Sequence, residues 1–387
     1  MPRRRRLSLL TLGVALVLLL SACAQDAPQD SLEPEGPISR QIDNLLNPVF
    51  WVAVAVFIFV QVGVLVMALR FRRRRRGDHG DEGDDDSELP RQTHGNTKLE
   101  IGWTLLPAGL LTVVAIGTLV TLFDIQARAD DAEVSIQVVG NQWYWDYNYD
   151  LDDDGAFDDV ETANDLVIPA GQDVNLEITS NDVVHSYWIP KLAGKQDAVP
   201  GRSTTLTINA DEPGVFLGQC VEFCGLGHGT MRQRAVALTS DQFDEWLQNQ
   251  AQPAEMPPEG TAARRGAELF ATQCSICHLA EGINDAEFEE QGSGDDLVAG
   301  PAPNLTHFAS RGAFAGALFD LWQDTDGNGF VDFDEIGGEL NRRDLADWLR
   351  DPPSRKPMAP DQGRGMPNLG LQDAQIDDLI AFLETLE

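Results

Sequence analysis

Residues 218–231, GQCVEFCGLGHGTM, hold the densest set of ligand-type side chains in the chain. Cys220 and Cys224 stand four residues apart, His228 follows four residues later, and Met231 ends the segment. Thiolate, imidazole and thioether are soft or borderline donors, the set that favours copper. A second histidine, His185, lies upstream in DVVHSYW. A mononuclear blue-copper site needs a single cysteine. Two cysteines in one segment could instead bridge two copper ions. His185 and His228 would each be terminal on one ion, with Met231 a weak ligand to one and the Glu222 carbonyl to the other. Zinc in a Cys2His2 site is the competing metal, but it has no need of Met231.

A second redox motif lies downstream. Cys274-Ser-Ile-Cys277-His278 has the CxxCH spacing of c-type haem attachment. The two cysteines would form thioethers and His278 would take one axial position. A methionine on the other side would raise the reduction potential, as suits a donor to copper. Met358 and Met366 are the candidates.

Two acidic segments fit the twelve-residue calcium-loop pattern, with oxygens at positions 1, 3, 5, 7, 9 and 12 and glycine at 6. In one, the donors are Asp324, Asp326, Asn328, the Phe330 carbonyl, Asp332 and Glu335. A helix over 313–322 is expected before it, and Gly337 and Gly338 weaken any helix after it. In the other, the donors are Asp150, Asp152, Asp154, the Ala156 carbonyl, Asp158 and Glu161. This second segment lies between strands, without flanking helices.

The chain of 387 residues has 62 acidic residues against 28 basic ones, for a formal net charge of −34. That balance excludes a nucleic-acid partner. It fits either steering of a basic partner or adaptation to high salt. Lysine occurs only at positions 98, 191, 195 and 356. The five cysteines, Cys23 and the four above, all fall inside motifs, which leaves none for a structural disulfide.

Several elements must position these groups. Residues 1–22 read as a secretory signal, with arginines at 3–6 ahead of an apolar run. The sequence Leu20-Ser-Ala-Cys23 resembles a lipobox, which would make Cys23 a lipidated first residue. An external segment and two membrane spans follow within 23–130, the spans at about 48–69 and 102–123. Arg70 and the arginines at 72–76 mark the cytoplasmic side, so the rest of the chain lies outside. Alternating segments (134–140, 141–149, 165–171, 173–180, 203–210, 232–239) predict a β-sandwich or barrel over 131–250. Residues 251–260 read as a linker, and helical spacing in 262–274, 342–351 and 373–386 predicts a small all-α domain over 261–387.

The chain resembles subunit II of haem–copper cytochrome c oxidases, fused to a cytochrome c as in the caa3 type. The matching segments are EIGWTLLP (100–107), GNQWYWDYNY (140–149), DVVHSYWIPKLAGKQDAVPGR (182–202) and the loop at 218–231. The resemblance implies a multidomain membrane protein with a two-helix transmembrane hairpin, a cupredoxin-like Greek-key domain and a cytochrome c domain. It implies the dinuclear CuA centre on Cys220, Cys224, His185, His228, Met231 and the Glu222 carbonyl. The Glu222 carboxylate would help hold Mg²⁺ against subunit I, Trp143 would lie on the electron route into CuA, and Glu100 would stand at the mouth of a proton channel. Met366, in Met-Pro ahead of the last helix, resembles the cytochrome c axial ligand. Gly300, Pro301 and Leu305 resemble the segment over the haem.

The function implied is electron delivery to subunit I for reduction of oxygen to water, coupled to proton pumping. Partners would be subunits I and III and a donor such as a cytochrome c or bc complex. The oxygen site itself would sit on another subunit. Two alternatives share some motifs. A CuA-bearing nitric oxide reductase subunit would share the copper loop without needing Glu100. A copper-delivery protein would need an exchangeable site, usually without a haem.

Overall fold

The computed structural model describes residues 13, 27–71, 95–129, 132, 134–151, 154–290 and 302–387. Cys23, Asp152, the arginines at 72–76, Gly300 and Pro301 lie outside the described residues. The chain divides into two units, one formed by 41–125 and the other by the remainder.

The first unit is built on two long helices, α1 (Pro37–Arg70) and α2 (Thr97–Ala129). Their Leu, Val, Ile and Phe side chains are largely exposed, Phe59 and Leu106 by about four-fifths. Apolar surface on that scale belongs in lipid, and each helix exceeds the roughly 20 residues a bilayer core requires. Both elements outrun the expected spans. Pro48 and Pro107 lie inside the helices rather than at their starts, and residues 37–47, expected as an external polar segment, are helical. The Asn96 side chain begins α2 by accepting from the amides of Lys98 (3.2 Å) and Leu99 (3.3 Å).

In the second unit, a β-sandwich follows from the alternating pattern. One sheet has the order β3-β2-β1-β5-β8 (Val160–Ala163, Tyr144–Asp150, Val134–Asn141, Val174–Ser180, Thr204–Ile208). The other has the order β4-β10-β9 (Asp165–Pro169, Arg232–Leu238, Gly214–Gln219). A short pair, β6 (His185–Tyr187) and β7 (Gln196–Ala198), completes it. β1 runs parallel to β5 and antiparallel to β2. Trp145, Tyr147 and Tyr149 alternate along β2 and are fully buried, the period-2 signature of a strand with one face in the core. The Tyr149 hydroxyl donates to the Val167 carbonyl (2.8 Å) and accepts from its amide (3.0 Å), tying the two sheets together. Helix α3 (Ser240–Gln250) closes this domain. A capping box of Thr239 and Gln242 starts it, and its Trp246 packs on Tyr149 with ring centroids 5.4 Å apart.

The C-terminal domain packs α4 (Ala262–Gln273) across α8 (Asp373–Leu383), with α5 (Asp285–Glu290), α6 (Arg342–Arg350) and α7 (Pro352–Arg355) around them. Gly266 permits the crossing: a Cβ there would meet the Asp378 carbonyl at 2.0 Å. Phe270 and Phe382 fill the core beside it. The domain is not purely helical. Residues 313–320, expected as helix, form a hairpin of β11 (Ala313–Phe314) and β12 (Phe319–Asp320). Ala315, Gly316 and Ala317 all have positive φ (56°, 74°, 50°), which breaks a right-handed helix. The helix also fails because Phe314 and Phe319 turn together onto Trp348.

Candidate metal and haem centres

The copper-type residues converge where β6, β9 and the start of β10 meet. Cys220 Sγ lies 3.8 Å from Cys224 Sγ and 3.9 Å from His185 Nδ1. Cys224 Sγ lies 3.7 Å from His228 Nδ1 and 3.8 Å from Met231 Sδ. The Glu222 carbonyl stands 3.2 Å from Cys220 Sγ, while its carboxylate is exposed and accepts from the Phe223 amide. His185, Cys220, Cys224 and Met231 are buried, and His228 is half-buried. Sulfurs about 2.3 Å from a tetrahedral metal stand roughly 3.8 Å apart, so these separations suit shared thiolate ligands. The donor set of two sulfurs, two imidazoles and a thioether fits copper.

The surroundings fix these donors. His185 Nε2 donates to Asp182 Oδ1 (2.8 Å), which points Nδ1 at Cys220. Burial opposes protonation of His185, but the Asp182 carboxylate and the Cys220 sulfur outweigh it and raise its pKa. Of the thiol pair, Cys220 gives up its proton well below the usual range because Cys224 donates to it. Cys224 correspondingly holds its proton. The Cys224 carbonyl accepts from Gln142 Nε2 (2.6 Å) and from the Trp143 indole (2.9 Å). Gly140 makes room for His185: a Cβ there would meet the imidazole at 2.9 Å. Asp182, Gln142 and Gly140 were not singled out in the sequence, although Gly140 and Gln142 sit in the GNQW segment.

The haem-type motif follows α4 directly. The His278 amide donates to the Cys274 carbonyl (2.9 Å), winding the segment into a tight turn. His278 Nδ1 donates to the Pro303 carbonyl (2.8 Å), which leaves Nε2 free to bind iron. Burial lowers the His278 pKa, keeping the imidazole neutral. Burial also raises the thiol of Cys274 to about 12 and raises that of Cys277. Buried Asn284 donates to Ser275 Oγ (2.7 Å) and to the His278 carbonyl (3.0 Å), bracing the turn. Neither Pro303 nor Asn284 carried a sequence signal. Met366 is half-buried against the helical core. Met358 lies over Gly365, where a Cβ would meet its Sδ at 2.4 Å. His307 is buried and donates to the Glu387 carbonyl (2.6 Å), a packing role.

The two acidic loops differ. Oxygens of Asp324, Asp326 and Glu335 come within 4.8 Å of one another. Asp324 accepts from the amides of Gly327 (2.6 Å) and Gly329 (2.9 Å), and hydrogen bonds from Thr325 hold the Glu335 carboxyl down at about 2. Asn328 donates to Asp332 (2.7 Å) and accepts from the Phe330 amide (3.0 Å). The exit is a single turn over Phe333–Glu335, not a helix. In the other loop, Asp150 accepts from the amides of Asp154 (3.2 Å) and Gly155 (2.9 Å), and Asp154 accepts from that of Ala156. Asp158 is exposed, and Glu161 turns away to accept from Asn304 (3.0 Å). Among the described residues, its carboxylates form no converging trio.

Family comparisons join these centres to a known architecture. The transmembrane domain of cytochrome c oxidase subunit II matches residues 29–120, its periplasmic domain residues 150–237, and cytochrome c residues 263–387. Cytochrome c oxidase subunit 2 of Alkalihalophilus pseudofirmus is 33% identical over 383 residues, spanning 96% of this chain and 95% of the relative. The chain belongs to the cytochrome c oxidase subunit II family. The subunit 2 of Bacillus sp. strain PS3 is 31% identical over 78% of each chain. The solved periplasmic domain of subunit II from Bradyrhizobium japonicum is 29% identical, covering 31% of this chain and 94% of that one, with a TM-score of 0.29. As a subunit II with a fused cytochrome c domain, the protein is part of a haem–copper terminal oxidase, an oxidoreductase complex. Its soluble domains imply copper and haem c as cofactors, and its apolar helices make it a membrane protein.

Proposed function

We propose that this subunit II carries electrons from an external donor through haem c on Cys274, Cys277 and His278 to a dinuclear CuA centre, and from there to the haems of subunit I. The observation that carries the reading is the convergence of His185, Cys220, Cys224, His228 and Met231 within a few ångströms. When bound, the copper pair and the haem each take up and release one electron. The chain's residues do the rest. Cys220, Cys224, His185 and His228 would hold the metal pair, with Met231 and the Glu222 carbonyl as weaker donors beside them. Burial of four of these side chains keeps water out, which limits reorganisation as charge changes. Trp143, whose indole holds the Cys224 carbonyl, is the route into the centre. His278, with its Nδ1 held by the Pro303 carbonyl and a neutral ring, would bind the haem iron through Nε2, and Met366, packed against the core of the same domain, would supply the second ligand.

The reading extends to the subunit's surroundings. The β-sandwich (131–250) and cytochrome domain (261–387), joined by the 251–260 linker, lie on the external face of a bacterial membrane. Cys23 is a lipid anchor after removal of 1–22. Subunits I and III are the membrane partners, with a cytochrome c or bc complex as donor. The exposed Glu222 carboxylate holds Mg²⁺ toward subunit I. Glu100, in the first turn of α2, admits protons for a reaction coupled to pumping. Calcium binds the 324–335 loop, supported by the converging Asp324, Asp326 and Glu335 oxygens; the 150–161 loop, whose Glu161 is engaged by Asn304, has less support as a second calcium loop. Calorimetric titration of the purified chain tests the calcium assignment: heat that disappears in Asp324→Ala supports it, and no heat removes it. Metal and haem analysis tests the main reading. It predicts two coppers and one covalent haem per chain; zinc, or a single copper, would overturn it.

A further inference from the structure

Lys356 is one of four lysines in the chain and is buried. A lysine out of water needs compensation, because desolvating an ammonium is costly. Here the compensation is main chain rather than carboxylate. Nζ donates to the carbonyl of Trp143 (2.7 Å) and to that of Ala315 (2.7 Å). These carbonyls belong to different domains: Trp143 lies in the β1–β2 turn of the copper domain, and Ala315 in the β11–β12 turn of the haem domain.

The turn is shaped to admit the ammonium. A Cβ on Gly316 would meet Lys356 Nζ at 2.3 Å and the Trp143 carbonyl at 2.6 Å, and its φ of 74° favours glycine. Next to it, the Arg232 amide at the start of β10 donates to the Gly316 carbonyl (2.9 Å). A second cross-domain anchor lies nearby. The Gly312 amide donates to buried Asp165 (2.8 Å), whose other oxygen pairs with Arg234 (3.1 Å). Trp143 is thereby held at both ends, its carbonyl by Lys356 and its indole by the Cys224 carbonyl.

We propose that Lys356 is a positioning residue that clamps the haem domain onto the main chain of Trp143, and so sets the distance and contact through which an electron passes from haem c to the copper pair. This deepens the electron-transfer reading and rests on it. In that step one electron leaves the ferrous haem iron and arrives on the oxidised copper pair, with no bond made or broken and no proton moved. Tunnelling falls steeply with separation, so loosening the clamp slows transfer without altering either centre. Lys356→Met keeps an unbranched side chain only one atom shorter but removes the donor, which strands both carbonyls.

The test uses the assembled full-length oxidase. Two readouts are taken: haem c to CuA transfer after rapid reduction of the haem, and amide hydrogen exchange in 313–317 and at Arg232. The clamp predicts that K356M slows transfer several-fold, because both bonds from Nζ to the Trp143 and Ala315 carbonyls are lost and the domains can move apart. It also predicts faster exchange in those segments, with the CuA EPR signal and the haem potential unchanged. Wild-type transfer and exchange in K356M would overturn the proposal. Should K356M fail to assemble, Gly316→Ala decides, because its Cβ pushes Nζ away while the lysine remains: slowed transfer supports the clamp and unaltered transfer removes it. A wild-type protein lacking either centre would instead defeat the electron-transfer reading on which the clamp rests.

Discussion

Replacing Asp182 by asparagine tests how its carboxylate orients His185 at the metal centre. Asp182 Oδ1 accepts from His185 Nε2 (2.8 Å) and from the Val183 amide (2.6 Å). Its Oδ2 accepts from the Gln142 amide (2.7 Å), next to Trp143. All three partners are donors. An asparagine has one acceptor oxygen and an NH₂ group, so one end of the amide must face a donor with a donor. Either His185 loses the hydrogen bond that points Nδ1 at Cys220, or the Gln142 amide is left unpaired. Losing such a partner typically weakens metal binding about 10–100-fold. The assay is competition between the purified chain and a copper chelator of known affinity, followed by the CuA absorbance. The expected outcome is weaker copper binding with haem c content unchanged, because Cys274, Cys277 and His278 lie in the other domain. Wild-type copper affinity together with wild-type exchange of the Gln142 amide would show that the Asp182 carboxylate does not orient His185.

Two further predictions concern the neighbourhood of Trp143. In Gly227→Ala the new Cβ would stand 2.5–2.8 Å from three atoms of the Trp143 ring; relief to an ordinary carbon contact moves the indole by about 1 Å. Reduction of CuA by haem c should slow while the copper EPR signal persists, and unchanged kinetics would remove Trp143 from the route. Burial lowers the Lys356 pKa to about 7 from 10.5, outweighing the interaction with the Cys224 sulfur, which raises it. Between about pH 7 and 10.5 the unfolded chain holds this proton and the folded chain does not, so stability rises with pH across that window and the full penalty applies below it. The difference between wild type and Lys356→Met should therefore shift toward wild type by on the order of 5 kcal/mol from pH 7 to 10.5. Denaturant titration of the detergent-solubilised chain at several pH values measures this, and a pH-independent difference would show that Lys356 stays charged.

Much of the site was legible because its chemistry is local in sequence. Cys220, Cys224, His228 and Met231 share one loop, and CxxCH is a contiguous motif, so spacing marked both as candidate centres. Strands such as β2 were legible from alternation, since Trp145, Tyr147 and Tyr149 share one buried face. The remainder depends on tertiary approach. Asp182, Pro303, Asn284 and Lys356 act through main-chain groups brought together by folding, and no local pattern marks a lysine that will lie under another domain's carbonyl. The 313–320 hairpin was misread as helix because its apolar residues have helical spacing. Three consecutive positive φ angles, two of them at alanines, carry no signature in composition.

The central claim is that the 218–231 loop and His185 hold two coppers that share one unpaired electron. EPR spectroscopy of the oxidised, copper-loaded chain measures this directly. A hyperfine pattern from an electron delocalised over two copper nuclei is expected, alongside the signal of low-spin haem c. A four-line pattern from a single copper, or a chain that takes up copper without either signal, would contradict it.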